Sequence, residues 1–319
     1  MNEYRKEYKR SVINLGNSKA ITFPGEWVEK SKLKEKTEVT LFPIDEKTVV
    51  VRTGENKDEN KVTYNLIANK IPLRLIRQAI VSAFKLNVDQ IHLKYNEGNQ
   101  EKLYEILVDL RREIIGFDFK DNKETQEYYI NFLLDASKTT YKEVLEDLIS
   151  DFNAVIKRVI NGEGNNLELL LDEVGRKYSL GTRILITGLS EYPFSRSSLP
   201  VINFLGDRVV LLLIRDFIYE ACDLQEVAKD ILKRYENVLL KIPNLLKALI
   251  ENYQDLNLNI ISTFQERLAN LEKLTEEIQE ATQKANTPIK NIIKYYLNNF
   301  KNLFDIGITR MIESEIGIS

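Results

Sequence analysis

The stretch Arg10-Ser11-Val12-Ile13-Asn14-Leu15-Gly16-Asn17-Ser18-Lys19-Ala20-Ile21-Thr22-Phe23-Pro24 holds the densest local signals in the chain. Val12 to Leu15 reads as a strand, and Gly16-Asn17-Ser18 supplies a turn. Ala20 to Phe23 reads as a second strand, stopped by Pro24. Proline is tolerated in the first turn of a helix, where its missing N–H costs nothing, so Gly25 to Ser31, carrying Trp27, is expected to be a short helix. Val39 to Phe42 and Thr48 to Val51 flank Pro43-Ile44-Asp45-Glu46-Lys47, a hairpin signal. A unit of this size, residues 1–52, buries little surface by itself and is expected to need a second copy.

Outward from this unit the signals change. Residues 53–61 contain no apolar side chain and read as a linker. Residues 63–136 then alternate: a helix over Ile71 to Phe84, a strand over Gln90 to Tyr95, a helix over Glu101 to Ile115, and strands at Gly116 to Lys120 and Glu127 to Leu134. This is a small α/β module. From 137 to 319 the apolar spacing is helical throughout, as in Val144, Leu145, Leu148, Phe152, Val155, Ile156 and Val159. The sequence predicts a break at Asn161 to Asn165, a helix over Leu167 to Leu189, a loop from Pro193 to Pro200 and a long helix over Val201 to Tyr235. A further helix is expected after Pro243, running through about Thr282, and Pro288 is expected to open a last one ending near Glu315. The aliphatic run Val209 to Ile214 suits a central helix or one that contacts a second subunit. The fold class is therefore α+β.

Charge and composition narrow the function. In the 319 residues, 45 Lys and Arg stand against 48 Asp and Glu, so the chain is not basic throughout in the manner of a nucleic-acid coat. Residues 1–52 carry a formal charge of +3 and the remainder −6, which places the positive bias on the strand-rich end. The six-residue run at 209–214 is far short of the ~20 apolar residues a bilayer span needs, so no membrane insertion is expected. Met1 to Lys6 shows no signal-peptide pattern and Cys222 has no disulfide partner within the chain; both suit a cytoplasmic setting. A single histidine, His92 in an alternating segment, excludes a His-rich metal cage and leaves little room for a triad. No phosphate-loop, dinucleotide or Cys-x-x-Cys motif is present. Neither enzyme activity nor a cofactor is expected.

The 10–24 segment, with Trp27, Leu33, Val39 and Val49-Val50-Val51 behind it, resembles an AbrB/SpoVT-type swapped-hairpin domain. An AbrB-like unit ahead of an α/β module and a long helical region looks like the archaeal branch of the PhoU family. Leu110-Arg111-Arg112-Glu113-Ile114-Ile115-Gly116-Phe117-Asp118 is similar to an arginine-rich helix end in that branch. Phe217 to Asp223 and Phe300 to Asp305 fall where PhoU proteins show acidic motifs. The resemblance implies two three-helix repeats, at about 138–235 and 236–319, behind an interleaved N-terminal dimer. It also implies a DNA-binding transcriptional regulator linked to phosphate uptake, acting as a homodimer or higher oligomer with a protein partner at the bundle. DNA contact then falls to Lys9, Arg10, Asn17, Ser18 and Lys19, with cations for phosphates and turn groups for positioning.

Several positions depart from these patterns. Tyr219, Lys301 and Gly175 stand where the PhoU motifs carry acids, so no metal cluster is expected, and Asp216, Glu220 and Asp223 read as a solvated acidic face. Glu26-Trp27-Val28-Glu29 is acidic where AbrB-type helices are basic, and Lys36 replaces a turn glycine. These departures support the alternative of a dimeric scaffold whose N-terminal unit only dimerises and whose bundle docks a partner protein. Trp27 is expected to anchor the small N-terminal core and Cys222 to be a buried small hydrophobe.

Overall fold

A computed structural model describes residues 7–44, 46–53, 61–134, 138–164, 167–190, 201–254 and 287–315, with single positions at 273, 276 and 280. The fold is α+β, and the chain divides into two compact units, Met1–Asn60 and Lys61–Ser319.

In the first unit, β1 (Ile13–Leu15) and β2 (Ser18–Ala20) form an antiparallel hairpin around Gly16-Asn17. Gly16 has a φ of +59°, which the first central position of a tight hairpin turn demands and a side chain would resist. That two-residue turn puts Ser18 opposite Leu15, so the second strand begins earlier than expected and Ile21 to Phe23 lie beyond the ladder. Helix α1 (Gly25–Lys30) follows Pro24, and Trp27 packs on Phe23 with ring centroids 4.9 Å apart. A second antiparallel hairpin joins β3 (Val39–Pro43) to β4 (Val49–Thr53). None of the described residues between 7 and 53 is buried, Trp27 included, so the expected anchor is only half-covered.

The second unit begins with a four-stranded sheet of order β5-β6-β8-β7. Strand β5 (Thr63–Ile67) pairs in parallel with β6 (Gln90–Lys94), and α2 (Leu73–Lys85) makes the crossover between them. Helix α3 (Gln100–Glu113) leads into the antiparallel hairpin of β7 (Phe117–Asn122) and β8 (Glu127–Phe132), with β8 also antiparallel to β6. Ile76, Ile80 and Phe84 of α2 and Leu103, Leu107 and Leu110 of α3 share one core with Ile91, Leu93, Tyr128 and Ile130 of the sheet. Helix α3 stops just before Gly116, whose φ is +72° and whose missing Cβ would sit 3.0 Å from the Leu134 amide nitrogen.

Helices follow: α4 (Tyr141–Asn161), α5 (Leu167–Ser190), α6 (Val201–Cys222), α7 (Lys229–Arg234), α8 (Glu236–Gln254) and α9 (Thr287–Glu315). They share a second core that includes Phe152, Phe217, Leu246 and Tyr296. Two expectations are corrected. The helix expected over 201–235 ends at Cys222, where Asp223 to Glu226 tighten into a 3-10 turn with Leu224 and Val227 still packed in the core. Pro243 does not precede a helix but lies inside α8; tertiary packing by Leu239, Ile242, Leu245 and Leu246 outweighs the backbone bond that proline cannot make. Pro288 does open α9. The loop expected at 193–200, most of the linker and the 255–272 part of the helix expected up to Thr282 lie outside the described residues.

The sheet and the helices of this second unit are locked together through Arg183 of α5. It is 2% exposed and donates from Nη1 to Phe84 O at 2.8 Å and to Val88 O at 3.0 Å. Those carbonyls are at and just past the C-terminus of α2, where orphan acceptors need donors. Its guanidinium also lies 5.0 Å from the Phe84 ring centroid.

Candidate nucleic-acid interface

The register of the first hairpin sorts its side chains. Residues directly opposite in an antiparallel ladder share a face, so Ile13 and Ala20, with Leu15 and Ser18, lie on one side and Asn14 and Lys19 on the other. The polar face is tied by the Lys19 ammonium, which donates to Asn14 Oδ1 at 2.5 Å. The apolar face is uncovered: Leu15 is 69% exposed and Ile13 49%. The second hairpin is apolar on both faces, with Val39, Leu41, Val49 and Val51 on one and Phe42 opposite Val50 on the other; Leu41 is 60% exposed and Phe42 41%.

Lys9 and Arg10 precede β1, at the end of the hairpin remote from its turn. Lys9 lies in open solvent with Nζ 3.8 Å from Glu7 Oε1, a pair worth little in water. Arg10 donates from Nη1 to Lys9 O at 3.3 Å and lies 6.0 Å from the Tyr8 ring centroid. Tyr8 in turn donates its hydroxyl to Glu26 Oε2 at 2.6 Å, which fastens the leading segment to α1. Of the five residues picked from sequence, Asn17, Ser18 and Lys19 thus cluster at the turn, and Lys9 and Arg10 form a separate basic pair. All five are exposed. Two participants were missed, Asn14 and Tyr8. Asn14 was recoverable, because a two-residue Gly16-Asn17 turn forces it opposite Lys19. The link from Tyr8 to Glu26 spans 18 residues and has no sequence signal.

The other singled-out residues have ordinary surroundings. His92 packs edge-on against Tyr129 with centroids 4.8 Å apart. Cys222 is half-buried, and burial first, then the Asp223 charge, push its thiol up to about 11. On α6, burial followed by Asp223 and Asp216 raises Glu220 above the usual carboxylate range, while Asp216 accepts from Arg215 at 2.6 Å. Tyr219 occupies the expected acid position, its hydroxyl donating to Leu171 O at 3.5 Å. Among the described residues no group of three or more His, Cys, Asp or Glu could hold a metal ion. No described helix is long and apolar enough to cross a membrane. The aliphatic run on α6 is split, with Val210, Leu211 and Ile214 buried but Val209 and Leu212 exposed. Neither family models, nor curated proteins, nor solved structures gave any match to this chain.

Proposed function

We propose that the chain is a DNA-binding transcriptional regulator of the PhoU-like type, in which two AbrB-like N-terminal units join and present their hairpins to DNA. One observation supports this most directly. The first hairpin has a polar face built on Lys19 and Asn14 and an apolar face left uncovered at Ile13 and Leu15. A second copy covers the apolar faces, and the cations of both copies are then doubled in a symmetric array. Lys9, Arg10 and Lys19 neutralise backbone phosphates, and Asn17 and Ser18 fix the register of the hairpin on the duplex. The link to phosphate uptake, and a protein partner at the bundle, rest on the resemblance of the helical half to PhoU proteins.

The dimeric scaffold is favoured by one feature, the exposed Glu26 and Glu29 on α1, which repel phosphates near Arg10. The double substitution R10A/K19A separates the two functions. All the altered side chains are exposed, so circular dichroism should stay unchanged. In a dimer the change removes four cations, so the slope of log affinity against log salt should become shallower by roughly three to four. Unchanged DNA affinity would refute the contact assignment, and no affinity in the unaltered chain at low salt would leave the scaffold.

A further inference from the structure

Strand β5 is an edge of the four-stranded sheet, with β6 on one side and no described strand on the other. Val62, just before it, bonds toward β6. Its carbonyl accepts from the Asp89 and Gln90 amides at 2.9 and 3.2 Å, and its amide donates to Asp89 Oδ2 at 2.8 Å. Backbone groups alternate sides along a strand, so Thr63 and Asn65 turn their N–H and C=O outward. Among the described residues no strand or turn bonds those four groups. Both residues are exposed, and Val62, Tyr64 and Ile67 beside them are 52%, 43% and 39% exposed.

Folded proteins blunt such edges with charge, proline or a covering element, because a row of unpaired amides and carbonyls invites another strand. The far edge follows that rule: β7 carries Asp118, Lys120 and Asp121, and Arg111 of α3 is fastened to Asp118 at 2.9 Å. Strand β5, Thr63-Tyr64-Asn65-Leu66-Ile67, has neither a charge nor a proline. Its surroundings carry one sign. Residues 61–88 hold five Lys and Arg and no Asp or Glu. Two of the five are engaged, Arg77 with Glu113 and Lys85 over the Tyr178 ring at 4.7 Å from its centroid. Lys61 at the start of the strand, and Lys70 and Arg74 after its end, are exposed, and among the described residues none of them has an ion pair. A second copy of β5 fits this edge poorly, because antiparallel pairing about Asn65 sets Lys61 of one copy near Lys70 of the other. A strand rich in carboxylates meets the same cations with opposite charge.

We infer that the outer edge of β5 receives an extended, acidic peptide segment of a partner protein as a fifth strand. Main-chain bonds to Thr63 and Asn65 supply affinity. Tyr64 and Ile67 contact side chains on the two faces of the added strand, and Lys61, Lys70 and Arg74 select negative charge. No residue of the N-terminal unit takes part, and the assignment stands apart from the DNA-binding proposal.

A fluorescein-labelled peptide of alternating glutamate and valine, titrated into the whole chain with anisotropy as the readout, tests it. Saturable binding is expected, and none by the peptide with lysine in place of glutamate. Methylating every backbone nitrogen of the glutamate peptide keeps its charge but removes its strand donors, and should abolish binding. K61E/K70E/R74E changes exposed side chains only, so circular dichroism should hold while affinity falls more than about tenfold. Bound peptide should also slow amide hydrogen exchange over residues 61–70, and R10A/K19A should bind it as the unaltered chain does. No binding of the glutamate peptide, equal binding of its methylated form, full affinity in K61E/K70E/R74E or lost affinity in R10A/K19A would overturn the site. Exchange over 61–70 that slows with rising protein concentration alone would give the edge to a second copy and overturn the peptide assignment.

Discussion

Arg183 satisfies two carbonyls at the end of α2 while almost wholly buried, and Asp89, 3.8 Å away, favours its charge where burial disfavours it. Replacing it by methionine keeps the bulk but leaves both acceptors without their donor in the core. Charge-assisted bonds of this kind are worth about 1.5–3 kcal/mol, so Arg183→Met should lower unfolding stability by about 2–3 kcal/mol, read from the urea midpoint. Cys222 makes a second prediction. With its thiol near 11, the thiolate fraction at pH 8 is about a hundredfold below that of a free cysteine. Alkylation by iodoacetamide at pH 8 should be slower by about that factor in the native protein than in urea. The sign follows from the raised value: the thiol's contribution to stability is present at neutral pH and is lost as pH climbs from its unfolded value towards 11. Residue by residue, the sequence pointed to Cys222 as a buried small hydrophobe, where the structure leaves it half-buried, and it gave no sign of the role of Arg183, whose acceptors lie 99 and 95 residues away.

Helix ends supply the clearest element-scale test. Thr140 caps α4, accepting from the Glu143 amide at 3.2 Å while the Glu143 carboxylate accepts from the Thr140 amide at 2.7 Å, and Gly162 closes the helix with a φ of +71°. The bond from the Thr140 amide, and then the Thr140 side chain, hold the Glu143 carboxyl below its ordinary value. Thr140→Ala should cost about 1 kcal/mol, measurable as a shifted denaturant midpoint with unchanged slope. Elements with strong spacing or a cap were legible: α2 to α5, β6 and the β7–β8 hairpin all fall close to where the pattern puts them. Strand β5 was not, because it is an edge strand with only Leu66 buried and shows no alternation. The end of α6 was hidden for the opposite reason. Phe217, Ala221 and Leu224 keep a helical spacing across the turn, and no glycine or proline marks it. Pro243 misled in turn, since buried neighbours on both sides carry α8 through it.

At the scale of the whole molecule, the two units differ in how complete they are. The second owns two cores of buried side chains; among the described residues of the first none is buried, and apolar side chains of both hairpins lie in solvent. The hairpins themselves were readable from Gly16-Asn17 and Pro24, but no local pattern says what covers the apolar faces. In the proposed function this unit acts through association, and the array of cations that association would double is the central claim. Fluorescence anisotropy of a labelled duplex, over a range of salt concentrations, tests it most directly when the whole chain is run beside one lacking residues 1–52. Six cations from Lys9, Arg10 and Lys19 of two copies predict a slope of roughly −5 in log affinity against log salt, and binding that disappears with the N-terminal unit. Absence of binding at low salt, or equal binding by the shortened chain, would contradict the account.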